Sequence, residues 1–209
     1  MSQKTIVVDL FYLPSIEFFV AIDGYDTILI EKQDYYQKQT YRNRTAIRLA
    51  NKVATLSVPV IGGNKKVKYK DVQIDPRQKW KNIHVRGIQS AYGKAPYFEH
   101  FFPQIEKIFT ENPSSLYTFN LRLLTLCLGF LKNSAKIEET AVYGAHSGNK
   151  DLRGQLNAKE PHKFRSIYEP YPYTQLFGLD FVPNLSILDL LFCEGPHAME
   201  IIYHSKKSD

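Results

Sequence analysis

From residue 5 to residue 30 the apolar residues come in short blocks separated by polar or turn-forming positions. Residues 5–9 (Thr-Ile-Val-Val-Asp) are a β-branched run and predict a first strand. Pro14 fits the first turn of a helix over residues 16–22, which Gly24 stops. Residues 27–30 (Thr-Ile-Leu-Ile) predict a second strand. Strand, helix and strand in so few residues predict a parallel βαβ opening. Ligands in open α/β sheets bind beyond the carboxyl ends of the strands. Asp9 and Tyr12 follow the first strand and Glu31 the second, so these three are candidates by position.

Further along, residues 46–49 and 53–60 read as two strands joined through Ala50, Asn51 and Lys52, a hairpin. A glycine-led loop with four lysines spans 62–70; it reads either as a lid over an anion or as a plain surface loop. A short strand is expected over 71–74. Asp75 and Pro76 carry the signature of a helix start. Trp80, His84, Ile88 and Tyr92 then recur every fourth residue and share one helical face, with Gly87 and Ala91 beside it allowing close packing. Aromatic and aliphatic residues from Phe98 to Phe109 keep helical spacing, and Pro103 is expected to kink or restart that helix. Ser114 or Ser115 caps an apolar helix running to Leu131. From 133 to 172 the apolar pattern weakens and predicts a long loop or lid, or a disordered insertion. A short helix is expected to begin at 173–176. A final apolar helix over 185–193 ends at Gly195 and Pro196. Ser186 and Asp189 have capping-box spacing, which assigns Asp189 to capping. The whole reads as one α/β domain over 1–209: a mixed sheet opening with a βαβ unit, followed by a mainly helical C-terminal half.

Composition sharpens this picture in two respects. The chain has 27 basic and 21 acidic residues in 209, a net charge of +6. That favours anionic ligands, but the basic residues are scattered and form no recognisable nucleic-acid module, so nucleic acid is a disfavoured partner. Cys127 and Cys193 lie in apolar patterns, which points away from a disulfide framework and toward a reducing, cytoplasmic setting. The N-terminal residues lead straight into a strand, as expected of a chain without a leader. The apolar run 116–131 is short for a membrane span and carries Asn120 and Arg122, so no span is expected.

The most polar stretch is 37–44 (Gln-Lys-Gln-Thr-Tyr-Arg-Asn-Arg), between two strand-like segments. On an extended strand Arg42 and Arg44 would face the same side. They would form a fork for phosphate or carboxylate, with Lys38 as a nearby charge and Tyr41 and Asn43 in the same run. The other reading is a solvated edge strand. His84 is either a catalyst or ligand contact, or a buried residue on a core stripe. Spacings for dinucleotide loops, Walker loops, metal ligands and Gly-x-Ser-x-Gly elbows do not occur. No nucleophile stands out and the cofactor is left open; general acid–base work by His84, Glu31 or Asp9 is the chemistry available.

Several segments, in order, resemble the WbqC-like family. They are residues 12–14 (Tyr-Leu-Pro), 39–44, 56–60 (Leu-Ser-Val-Pro-Val), Trp80 with His84, 91–92 with 95–98 (Ala-Pro-Tyr-Phe), 183–192, and 194–196 (Glu-Gly-Pro). The likeness is closest to versions from Bacteroidetes-type bacteria. Many members carry His-Gln-Pro before Tyr-Leu-Pro; Leu10 and Phe11 stand before Tyr12 here, and Cys193 stands where a late asparagine is common. The resemblance implies a cytoplasmic transferase of surface-polysaccharide or amino-sugar modification, passing an acyl or aminoacyl group to a nucleotide-linked sugar. In that reading Lys38, Arg42 and Arg44 hold phosphates, Tyr12, Tyr41, Trp80 and Tyr92 stack or hydrogen-bond, and Glu31 or His84 takes the acceptor's proton. The missing early histidine keeps open a non-catalytic partner protein, and the charge an anion- or nucleic-acid-binding one.

Overall fold

The computed structural model describes residues 3–62, 66–144, 148–178 and 180–207. Strand β1 (Thr5–Val8) and strand β2 (Thr27–Ile30) pair in parallel, Thr5 opposite Thr27 through Val8 opposite Ile30, with helix α1 (Ile16–Ile22) as the crossover. Ile6, Val7 and Val8 are all buried, as expected of a strand covered on both faces. Gly24 adopts φ +88°, which lets the chain turn from α1 into β2. Strand β3 (Arg44–Leu49) and strand β4 (Lys52–Ser57) form the expected antiparallel hairpin, separate from the parallel sheet.

Helix α2 (Trp80–Tyr92) buries Trp80, His84, Ile88, Ala91 and Tyr92 along one face, as their spacing predicts. A Cβ at Gly87 would meet Leu56 at 3.5 Å and Ile47 at 3.9 Å, ordinary contact distances, so α2 packs against the hairpin here without requiring the glycine. Asp75 and Pro76 do not start this helix. The Asp75 carboxylate instead folds back onto the Arg77 amide and guanidinium, a local alternative that acidic turn residues offer. Helix α3 (Phe98–Thr110) runs on through Pro103. Helix α4 (Leu116–Phe130) is capped by Ser115, whose hydroxyl accepts from the Thr118 amide.

Residues 133–172 are less irregular than their polarity predicts. Strand β5 (Lys136–Glu139) adds to β2 and strand β6 (Lys150–Asp151) to β1, giving a parallel sheet in the order β5-β2-β1-β6. Both strands are short, charged edges, so they lack the hydrophobic run that marks an interior strand. Arg165 anchors the later part of the segment by a bidentate pair to Glu17 of α1, at 2.7 and 2.6 Å. Residues 173–176 are not helical, and 71–74 form a 3-10 turn at Tyr69–Asp71 followed by isolated bridges in place of a strand. Helix α5 (Ile187–Glu194) and helix α6 (Ala198–His204) close the chain, with Gly195 at φ +51° between them. The loop at 62–70 and the stretch 143–153 lie in part outside the described residues, at 63–65 and 145–147.

Candidate functional site

The sheet places Asp9 just beyond β1 and Glu31 just beyond β2, at the carboxyl ends where this architecture binds ligands. Residues 37–44 do not extend there. They turn, with Gln39 at φ +60° and the Thr40 hydroxyl bonded to the Gln37 carbonyl, and only at Arg44 does the chain enter β3. The turn breaks the Arg42–Arg44 fork that an extended strand would make. Arg42 points inward: its guanidinium donates to Asp9 Oδ1 at 2.6 Å, to Asp34 Oδ2 at 3.3 Å and to the Tyr35 carbonyl, and lies over the Tyr69 ring. Burial alone would lower the Arg42 pKa; the Asp9 and Asp34 carboxylates and Tyr69 more than offset it and hold the cation charged. The other Asp9 oxygen accepts from the Gly154 amide at 2.8 Å.

Glu31 is equally committed. Its carboxylate accepts from the Thr140 hydroxyl at 2.7 Å and from the amides of Gln33 and Gly144, at 2.8 and 3.2 Å, and lies 3.9 Å from Arg153. Burial pushes its pKa up, but these hydrogen bonds and Arg153 together leave it below the ordinary value, so it is ionised at neutral pH. Arg153 is itself held by the Asp151 carboxylate, which raises its pKa. A pocket of about 210 Å³ opens among these groups, lined by Asp9, Phe11, Asp34, Arg42, Arg153 and Asn157 together with Gln37 and Thr40. Asp34 differs from the other carboxylates. Its side chain is 24% exposed, and among the described residues its hydrogen bond comes from Arg42 to Oδ2, which leaves Oδ1 without a donor there.

The remaining sequence candidates lie elsewhere. Tyr12, Trp80 and His84 sit together in the core: the Tyr12 hydroxyl is 2.8 Å from His84 Nδ1, Trp80 and Phe109 pack against the imidazole, and Phe119 packs against Tyr12, Trp80 and Phe109. Burial brings the His84 pKa down to about 4, so the ring is neutral. None of the three lines the pocket. Tyr92 accepts from the Arg48 amide and lies beside Asp189. Asp189 does not cap α5; the Ser186 hydroxyl takes that role with the Leu188 amide, while the Asp189 carboxylate accepts from Tyr173 and Gln175. Tyr41 packs edge-on against Phe11, which lines the pocket, and does not itself line it. The Asn43 amide donates to the Val58 carbonyl at 3.0 Å, Arg44 begins β3, and Lys38 is exposed on the turn. Burial pushes both cysteine thiols up to about 12, so neither offers a thiolate.

Asp34, Arg153, Gly154 and Asn157 escaped sequence reading. The last three reach the site only because the two-residue strand β6 pairs with β1, and nothing in a Lys-Asp pair signals that. For Asp34 the available signal was its position three residues after a strand-end glutamate. Compared with known proteins, the chain matches a model of the WbqC-like protein family over residues 11–160 and 162–201. It is also 25% identical over 232 residues to the Mycobacterium tuberculosis (strain ATCC 25618 / H37Rv) protein named "Uncharacterized protein Rv1507c", an alignment covering 98% of this chain and 100% of that one. No solved structure matches.

Proposed function

Since the chain belongs to the WbqC-like protein family, we propose that it is a transferase of surface-polysaccharide or amino-sugar modification, passing an acyl or aminoacyl group to a nucleotide-linked sugar. The observation that carries this reading is the pocket beyond β1 and β2. Its lining of carboxylates, amides, a hydroxyl and two guanidiniums around Phe11 suits the hydroxyls and apolar face of a pyranose ring. Asp34 Oδ1 is the acceptor open to a substrate, and a carboxylate within hydrogen-bond reach of an amine or hydroxyl can take its proton as the new acyl bond forms and the bond between the acyl group and the donor's leaving group breaks. Asp34 therefore replaces Glu31 and His84 as base in this reading. Glu31 spends its oxygens on Thr140, Gln33 and Gly144, and holds Arg153 in place. Arg42, bound to Asp9, supports the pocket wall.

The test is a thermal-melt screen of nucleotide-linked amino sugars, followed by mass spectrometry of mixtures with acyl and aminoacyl donors. A ligand at a hundred times its dissociation constant stabilises by about 2.7 kcal/mol. For a chain of this size that raises the Tm by roughly 5–10 °C. Asp34→Asn is expected to keep the unliganded Tm, because the side chain is partly exposed, and to lose product formation. Full product formation by Asp34→Asn would remove it as the base; no shift and no product with any sugar would remove the reading.

A further inference from the structure

The parallel sheet ends on one side at β5, whose outer edge pairs with no other strand among the described residues. The Lys136 and Thr140 amides bond to the Asp26 and Ile30 carbonyls on the β2 side, at 2.9 and 3.0 Å. In a strand the amide and carbonyl of one residue point the same way, and those of the next residue point the opposite way. Ile137 and Glu139 therefore turn their backbone donors and acceptors outward. An unpaired edge of this kind is a template for another strand.

The side chains alternate as well. Ala135, Ile137 and Glu139 line an open groove of about 560 Å³, whose other wall includes Leu121, Leu128 and Gly129 of α4. Lys136 and Glu138 are exposed, on the opposite face of the strand. The groove shares no lining residue with the pocket beyond β1.

Across an antiparallel pair, residues directly opposite each other point to the same face. For two copies of β5 related by a two-fold axis, this leaves registers centred on Lys136, on Ile137 or on Glu138. The first and last set two lysines or two glutamates against each other. The register centred on Ile137 sets Lys136 opposite the partner's Glu138, and Glu138 opposite the partner's Lys136. It also lets the two Ile137 residues exchange amide-to-carbonyl bonds, because both groups face outward. The same axis brings the two grooves together over the Ile137 pair, so that their apolar walls lose water. Charges on a short edge strand commonly guard it against pairing. They do so at β6, the other edge: Lys150 and Asp151 lie on opposite faces, so self-pairing centred on either sets like charges opposite. At β5 the charges are complementary instead.

We propose that β5 and the groove beside it are the interface of a homodimer, in which the β5 strands of two copies pair antiparallel about Ile137 and join their sheets into one.

Analytical ultracentrifugation of the full chain over a concentration series tests this, with circular dichroism to check the fold of each variant. The wild type is expected to reach twice the 24.2 kDa of one chain. Lys136→Glu alone and Glu138→Lys alone each set like charges opposite, so the dissociation constant of the dimer is expected to rise about tenfold or more. The double variant Lys136→Glu/Glu138→Lys restores opposite charges and is expected to return to within about threefold of the wild type. An equimolar mixture of the two single variants should form a one-to-one heterodimer, because each then faces charges of the other sign; that recovery also shows that both are folded. A wild type that keeps the mass of one chain throughout the series would overturn the proposal and leave the edge to a strand of a different protein. A dimer that neither single reversal weakens would lie on another surface, and overturns it too. So does weakening by the single reversals with no recovery in the double variant or the mixture, since the charges would then not be facing each other.

Discussion

Arg165→Met should cost this protein about 3–5 kcal/mol of stability. The Arg165 and Glu17 side chains are 7% and 1% exposed, and two N–H···O bonds of 2.7 and 2.6 Å join them. Removing the cation leaves a buried carboxylate with one remaining side-chain donor, Asn184 Nδ2 at 3.0 Å. Breaking a buried pair from one side has this cost because the surviving charge stays desolvated. Arg165 also donates to the Glu160 carbonyl at 2.8 Å, so its loss frees the segment that carries Asn157 into the pocket wall. At roughly 2–4 °C per kcal/mol for a chain of this length, the Tm should fall by about 6–20 °C. The single tryptophan, Trp80, lies in the core between His84, Phe109 and Phe119, so its fluorescence reports global unfolding in urea. The double variant Glu17→Gln/Arg165→Met removes both charges and should recover most of the loss, giving a coupling energy of about 2 kcal/mol or more. An Arg165→Met variant within about 1 kcal/mol of wild type, or a double variant no better than the single, would refute the claim that this pair clamps the segment to α1.

Two further outcomes follow from the core. The His84 imidazole titrates near 4 in the folded state, against about 6.5 unfolded, so between those values the unfolded chain binds more protons. His84's contribution is therefore full above pH 6.5 and lost as pH falls toward 4, by about 3 kcal/mol in all. Urea midpoints of His84→Gln at pH 4.5 and 7.5 should differ less than those of the wild type, and an unchanged difference would show that another group sets the slope. At the α5–α6 junction, Gly195→Ala should destabilise by about 2 kcal/mol or more: φ is +51°, and a Cβ there would lie 2.5 Å from the Tyr97 ring. A Tm within about 1 °C of wild type would show that the ring moves aside freely.

Local chemistry carried much of this fold. The β-branched runs at 5–8 and 27–30, Gly24, the four-residue stripe from Trp80 to Tyr92, the Ser115 cap and Gly195 after α5 each act through near neighbours in the chain. Their consequences were readable without knowing what packs where. The βαβ opening followed from them, and with it the position of Asp9 and Glu31 at the carboxyl ends. What those carboxylates do was decided by distant partners. Asp9 meets Gly154 across 145 residues and Glu31 meets Thr140 across 109, through edge strands too short and too charged to be recognised. The same holds for the arginines at 42 and 44. Spacing made them a pair, but one turn gave Arg42 to Asp9 and left Arg44 Nε without a hydrogen-bond partner among the described residues. A sequence lists which groups can ionise or donate; whether a charge is already neutralised depends on contacts between segments remote in the chain, and only the tertiary structure settles that.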